Sequence, residues 1–317
     1  MRVLQRRPVN RVDVWEGDRY RRVLRVAETP TLVEVRNKGS IEKPDVRFSV
    51  LSGEPQTAAT KALKQTLRRV LGLEVDPEPL QRLAENVPTL RPTALALRGL
   101  RPPRFPDLFE AFASVVPFQQ LSLDAGVAIV ARLVERFGEP LEHDGRRFLA
   151  FPTAAEIAHA RMPHLRACGL SATKADTLRR AARACESGEL DAERIEGMAT
   201  PDALKALMQL GGIGPWSAAL VLLRGAGRLD VFPPGDVGAT RAMSALLQIA
   251  PGAPLTRAIE RFGDLRGYLY FYGLGESLLK KGLIRPANFE GREGPGGREG
   301  CGGRGGCAGA CHSAREV

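Results

Sequence analysis

The stretch Leu210-Gly211-Gly212-Ile213-Gly214-Pro215-Trp216 permits very few local structures. Leu204, Leu207 and Met208 precede it at helical spacing, and Ala218, Ala219, Leu222 and Leu223 follow it in the same way. The pattern predicts helix, tight turn, helix. Gly212 and Gly214 suit φ values that other residues avoid, and they let another backbone come close. Ile213, apolar between two glycines, is expected to plug the gap between the helices. Pro215 fits the first turn of the second helix, where a missing N–H costs nothing. Backbone N–H groups left free at such a helix start suit an anion, phosphate above all.

Beyond the second helix, Gly225 and Gly227 break the periodicity, and Asp230-Val231-Phe232-Pro233-Pro234-Gly235 leads to Asp236. Helical spacing resumes at Val237. Asp236 has two readings, a simple N-cap or a carboxylate held beside a phosphate-binding turn; Asp230 is the rival carboxylate. The formal charge of +10, most of the excess being Arg, favours a polyanionic partner such as nucleic acid. A generally basic enzyme would have the same balance. With 317 residues, 44% hydrophobic and 26% charged, the chain has material for two globular domains. No run approaches the ~18 apolar residues of a membrane span. The N-terminus lacks an apolar signal core, so a cytoplasmic protein without a membrane partner is expected. Three of the five cysteines fall near the C-terminus, so disulfides are not expected to hold the core.

Before the glycine turn, Tyr20–Val26, Thr31–Val35 and Asp45–Val50 alternate as strands of an antiparallel sheet. Thr57–Leu73 reads as an amphipathic helix with Leu63, Leu67, Val70 and Leu71 on one side. Arg21, Arg22, Arg68 and Arg69 are candidates for phosphate contact or for a solvated basic face. Arg101–Pro106 is a proline-stiffened connector into a helix from Leu108 to Val116. Gln119 and Gln120 follow in an apolar stretch, where two amides must find partners or face a cleft. Leu141–Phe151 is a short hairpin or an irregular insert. Thr153 with Glu156 signals a capping box. Gly169 suits a C-cap, and Ser171 opens a helix bearing Lys174, Arg179, Arg180 and Arg183. His143, His159 and His164 have no metal-ligand spacing. The last helix, Leu265–Leu279, holds Tyr268, Tyr270, Phe271 and Tyr272, mostly as core. From Phe289 the chain is Gly-rich and expected to be disordered; Cys301, Cys307, Cys311 and His312 lie there. The fold class is α+β, with a small antiparallel-sheet domain and linker (1–106), an all-α core (107–288) and a tail (289–317).

The glycine hairpin, Trp216 and the loop Asp236, in that order and spacing, resemble the helix-hairpin-helix DNA glycosylase superfamily, most closely its DNA-3-methyladenine glycosylase II branch. The resemblance spans about residues 18–288 and is strongest from Asp107 to Met243. It implies a partner, double-stranded DNA carrying damaged bases, and a monomer that rotates a nucleotide out of the duplex. It places Gly212, Gly214 and Ser217 at a DNA phosphate and Gln119 and Gln120 at the DNA interface, with Gln120 as the wedge. It sets Trp216, Tyr268 and Tyr272 around the base; an indole face gains roughly 0.5–2 kcal/mol over a cationic base. Asp236 becomes the catalytic carboxylate, stabilising an oxocarbenium-like sugar and orienting water. The carbonyls of Met208, Leu210 and Ile213 would hold a monovalent cation; the chemistry requires no cofactor. Two departures stand out. Leu265 occupies the place where some relatives stack a second Trp. The three tail cysteines do not have the spacing of the relatives' four-cysteine iron–sulfur loop, so no cluster is expected. Strand-cleaving relatives carry a nucleophilic lysine at the place of Trp216. A monofunctional hydrolase for alkylated bases such as 3-methyladenine and 7-methylguanine is therefore expected. The other readings are a helix-hairpin-helix DNA-binding protein without chemistry and a glycosylase for oxidised or deaminated bases.

Overall fold

The computed structural model describes residues 9–26, 29–41, 43–53, 57–250, 252–287 and 315–316. The N-terminal sheet is antiparallel: β1 (Val14–Glu16), β2 (Arg19–Val26), β3 (Thr29–Asn37) and β4 (Val46–Ser52) are neighbours in chain order. Strand β1 is an addition to the sequence reading. It pairs with β2 through a tight turn in which Gly17 takes φ +59°. Helix α1 (Thr57–Val70) lies on one face of the sheet, and Leu63, Leu67, Val70 and Leu71 pack against Tyr20, Leu24, Val33, Val35 and Phe48. Helices α2 (Glu78–Glu85) and α3 (Arg91–Ala96) follow.

The core contains α4 (Leu108–Ala113), a 3-10 turn (Val116–Phe118) and α5 (Leu123–Phe137). The Leu141–Phe151 stretch then forms a hairpin, β5 (Pro140–His143) and β6 (Arg146–Leu149), around Asp144 and Gly145, both at positive φ. This hairpin covers the far face of the N-terminal sheet, where Phe148 and Ala150 pack with Val23 and Leu32. Helices α6 (Ala154–Ala158), α7 (Met162–Ala167), α8 (Ala172–Glu186), α9 (Ala192–Gly197), α10 (Thr200–Met208), α11 (Pro215–Val221), α12 (Val237–Leu246), α13 (Leu255–Ile259) and α14 (Tyr268–Lys280) complete the core. The capping box closes between Thr153 and Glu156, and Ser171 caps α8 through the Lys174 N–H. A π-helical turn, Leu222–Ala226, extends α11.

Two expectations change here. Arg315–Glu316 within the expected disordered tail form β7, antiparallel to β4; Cys301, Cys307, Cys311 and His312 lie outside the described residues. Arg21, Arg22 and Arg69 are not free for phosphate. Arg21 pairs with Glu34 and Glu16, Arg69 with Glu196, and Arg22, 3% exposed, with Asp13 and Glu110. Burial alone would lower the Arg22 pKa, but the neighbouring Glu110 and Asp13 carboxylates outweigh it and hold the guanidinium firmly charged. Among the described residues, no helix is long and apolar enough to cross a membrane.

Arg22 joins β2 to α4 and so ties the sheet domain to the core. Breaking a buried ion pair leaves an uncompensated charge. Arg22→Ala should therefore lower unfolding free energy by about 3–5 kcal/mol in a urea titration. Arg11→Ala, which breaks the exposed pair with Glu135, should cost no more than about 1 kcal/mol.

Candidate active site

The glycine turn closes as the spacing requires, but only one of its glycines is left-handed. Gly212 has φ +92°. Gly214 is the N-cap of α11 at φ −92° and ψ −179°, an extended conformation open to any residue. Gly212 also has no room for a side chain, since a Cβ there would lie 2.0 Å from the Thr177 Oγ1 of α8. At Gly214 a Cβ would meet nothing within 4 Å. The Ile213 N–H donates to the Leu210 carbonyl at 3.0 Å, and the Ile213 side chain is buried between the helices. Gly211, Gly212 and Gly214 are all exposed. They stand beside the first turn of α11, whose N–H groups have no partner within the helix.

The Pro117–Ser122 segment is fastened to this hairpin. The Gln119 side-chain amide donates to the Gly212 carbonyl and to the Ser217 Oγ, each at 2.9 Å. Gln119 therefore turns inward as a brace. Ser217 is 2% exposed, so its hydroxyl does not reach outward to DNA. From the other side, the Lys174 Nζ of α8 donates to the Pro117 carbonyl at 3.1 Å. Gln120 remains at the tip, exposed and at φ +53°, with Leu121 exposed beside it. In the sequence Lys174 reads only as one cation of a basic helix, and nothing singles out Thr177. Their spacing of three residues was the available signal, because it places both on one side of α8.

Asp236 caps a helix and contacts the hairpin at the same time. Its Oδ1 accepts the Ala239 N–H at 2.8 Å and caps α12. Its Oδ2 accepts the Trp216 Nε1–H at 2.9 Å. Cap and hairpin therefore share one half-buried carboxylate. The loop leading to it is held by its main chain: the Arg266 Nε donates to the Asp230 carbonyl and the Gly267 N–H to the Leu229 carbonyl, each at 2.6 Å. A Cβ on Gly267 would fall 2.2 Å from the Val231 carbonyl oxygen. Asp230 thus supports the loop through its backbone.

Tyr268 and Tyr272 do not join this site. They are 1% and 2% exposed. The Tyr268 hydroxyl donates to the Leu100 carbonyl, and that of Tyr272 to Gln81 Oε1. Both are core residues, and neither offers a ring face to a base. Leu265 is half-buried. A cavity of about 50 Å³ lies elsewhere, between the sheet domain and the core, lined by Asp13, Phe105, Glu110 and Arg224 among others. Of the carbonyls considered for a monovalent cation, Met208 ends α10, and Leu210 spends one lone pair on Ile213.

Gly212→Ala should destabilise the fold by about 1–3 kcal/mol, from backbone strain and from the clash with Thr177. Gly214→Ala should stay within about 0.5 kcal/mol of the parent. Thermal unfolding together with DNA titration checks this; a loss of DNA affinity in Gly214→Ala at unchanged stability would locate the phosphate approach at that backbone.

Comparison with known proteins agrees with the geometry. The profile described as HhH-GPD superfamily base excision DNA repair protein matches residues 113–263, and the AlkA N-terminal domain profile matches residues 1–107. A DNA-3-methyladenine glycosylase of Bacillus subtilis is 30% identical over 234 residues, covering 73% of this chain and 76% of its own. The solved 3-methyladenine DNA glycosylase of Archaeoglobus fulgidus superposes with a TM-score of 0.73 at 28% identity, over 88% of this chain and 95% of that one. The 3-methyladenine DNA glycosylase of Schizosaccharomyces pombe, solved with abasic DNA, gives a TM-score of 0.52 at 26% identity, over 63% of this chain and 95% of that one. With the hairpin, the capping carboxylate and these likenesses in agreement, the chain belongs to the HhH-GPD superfamily of base excision DNA repair proteins, as a DNA glycosylase of the DNA-3-methyladenine glycosylase type.

Proposed function

We propose that this glycosylase is a monofunctional hydrolase of alkylated bases. It acts as a monomer in the cytoplasm, removing 3-methyladenine, 7-methylguanine and similar bases from duplex DNA and leaving an abasic site. The observation that carries the proposal is the Asp236 carboxylate, held by Trp216 and Ala239 beside the glycine hairpin. Cleavage of an N-glycosidic bond builds positive charge on the sugar. A carboxylate fixed in advance stabilises that charge without having to reorganise, and it can orient the attacking water.

Each further requirement has a residue. The exposed backbone at Gly212 and Gly214 takes a phosphate of the damaged strand. Gln120 at the loop tip fills the gap left by the extruded nucleotide, and Trp216 presents indole surface to the base. A base made cationic by alkylation leaves readily, so a single carboxylate suffices. Trp216 stands where a Schiff-base lysine would be needed, which supports hydrolysis without strand cleavage. A monovalent cation on the carbonyls of Met208, Leu210 and Ile213 belongs to the same proposal; neutral oxygen donors suit such an ion, which would add positive charge near the phosphate.

Base release from duplex DNA methylated to carry 3-methyladenine and 7-methylguanine tests the proposal. The parent protein should release both bases. Asp236→Asn should lose on the order of 10²–10⁴ in rate while still binding abasic DNA. Borohydride should trap no covalent adduct. Release of neither base by a folded parent, or a trapped adduct, would refute the proposal.

A further inference from the structure

The hydrogen bond between Trp216 and Asp236 carries a second consequence, which rests on the proposed hydrolase reading and deepens it. We propose that Trp216 is a positioning residue for the Asp236 carboxylate, acting through its indole N–H, in addition to whatever its ring offers a base.

The geometry places the two oxygens of residue 236 each opposite a donor. Oδ1 receives the Ala239 N–H at 2.8 Å and Oδ2 the Trp216 Nε1–H at 2.9 Å. Both partners are donors and nothing else. A carboxylate has about four lone-pair sites, so two remain for the sugar and the attacking water. The main-chain donor fixes one oxygen relative to α12. The indole donor fixes the other relative to α11, which stops the carboxylate from swinging about its χ2 bond. Trp216 is itself held, because Pro215 precedes it in the first turn of α11 and the ring packs against the core cluster.

This predicts a defect in the usual carboxylate-to-amide substitution. In Asp236→Asn one acceptor oxygen becomes an NH2 group. Whichever way the amide turns, a donor then faces either Ala239 N–H or Trp216 Nε1–H. Asp236→Asn therefore removes the charge and also costs either the α12 cap or the indole contact, so its rate loss combines two effects. Removing the indole N–H alone separates them.

The chain has two tryptophans, Trp15 and Trp216. Trp15 packs on Tyr20 in the sheet domain, 5.3 Å between ring centroids. Trp15→Phe thus leaves Trp216 as a single indole. Replacing that tryptophan biosynthetically with its benzothiophene analogue keeps the ring shape and deletes only the N–H. The inference predicts a single-turnover base-release rate about 10- to 100-fold lower, the worth of one hydrogen bond to a charged group. Abasic-DNA affinity should stay within about 3-fold of the Trp15→Phe parent, a difference below 1 kcal/mol. An unchanged rate would overturn the inference and leave Trp216 a ring surface only. In parallel, the Trp216 indole N–H resonance in a proton–nitrogen correlation spectrum of Trp15→Phe should lie downfield and move upfield in Asp236→Ala, which leaves the indole no acceptor at that position. A resonance indifferent to Asp236→Ala would also overturn it. The spectrum needs no substrate, so the contact is decided even if no alkylated base is released. In that case the substrate proposal fails while the hydrogen bond is judged separately.

Discussion

At Gly212 a side chain has nowhere to go, and the active end of the molecule depends on that restriction. The residue is left-handed, and the Thr177 hydroxyl fills the space that a Cβ would need. Close contact between turn and helix brings the Gly212 carbonyl within reach of the Gln119 amide, which also holds the Ser217 hydroxyl. One turn back on α8, Lys174 fastens the Pro117 carbonyl. Helix α8 thus supports the hairpin at one residue and the Gln119–Gln120 loop at another. The distance between the expected phosphate site and the expected wedge is set by a single rigid element. Burial lowers the Lys174 pKa, a modest cost for an ammonium that gains a buried carbonyl.

The carboxylate follows the same logic. An N-cap aspartate is common, and on its own it signals nothing but a helix start. Here the cap cannot be separated from the rest of the site, because the second oxygen of Asp236 is claimed by a residue of the hairpin. The loop that delivers it is fixed through its carbonyls by Arg266 and Gly267 and through the buried Val231 side chain. Gly267 admits no side chain, since a Cβ there would strike the Val231 carbonyl.

Where local chemistry decides the structure, the sequence was readable. The Leu63, Leu67, Val70 and Leu71 stripe, the caps at Thr153 and Ser171, and the proline at the start of α11 all appear where their patterns place them. Gly212 was legible for the same reason, whereas Gly214 was over-read, because two glycines in a turn look alike until one acquires a neighbour. Partner-dependent features were not legible. Arg22 looks like any surface arginine until Asp13 and Glu110, the latter far away in sequence, enclose it. Gln119 and Gln120 are adjacent and chemically identical, yet one is spent inside the protein and the other stands free; only the fold distinguishes them. Tyr268 and Tyr272 fall in a helix that passes near the active-site loop, but their hydroxyls are taken by Leu100 and Gln81. Their burial follows from α2 and α3 packing over α14, which no spacing within α14 reveals.

The distribution of enclosed and exposed surface then bears on how a base is held. The cavity at the domain junction includes neither Trp216 nor Asp236 in its lining. Around the active site, by contrast, apolar side chains stand open: Leu121 follows Gln120 at 45% exposure, and Val237 follows Asp236 at 69%. Exposed apolar surface beside a fixed carboxylate is costly in water and favourable once a duplex covers it. The protein supplies the rigid part of the site, namely the hairpin, the Gln119–Gln120 loop and the Asp236 carboxylate. On the proposed function, selectivity comes from the leaving group: alkylation, which gives a purine positive charge, weakens the glycosidic bond before the enzyme acts. On that proposal one oriented carboxylate is enough, because a base that is already cationic needs no acid to protonate it.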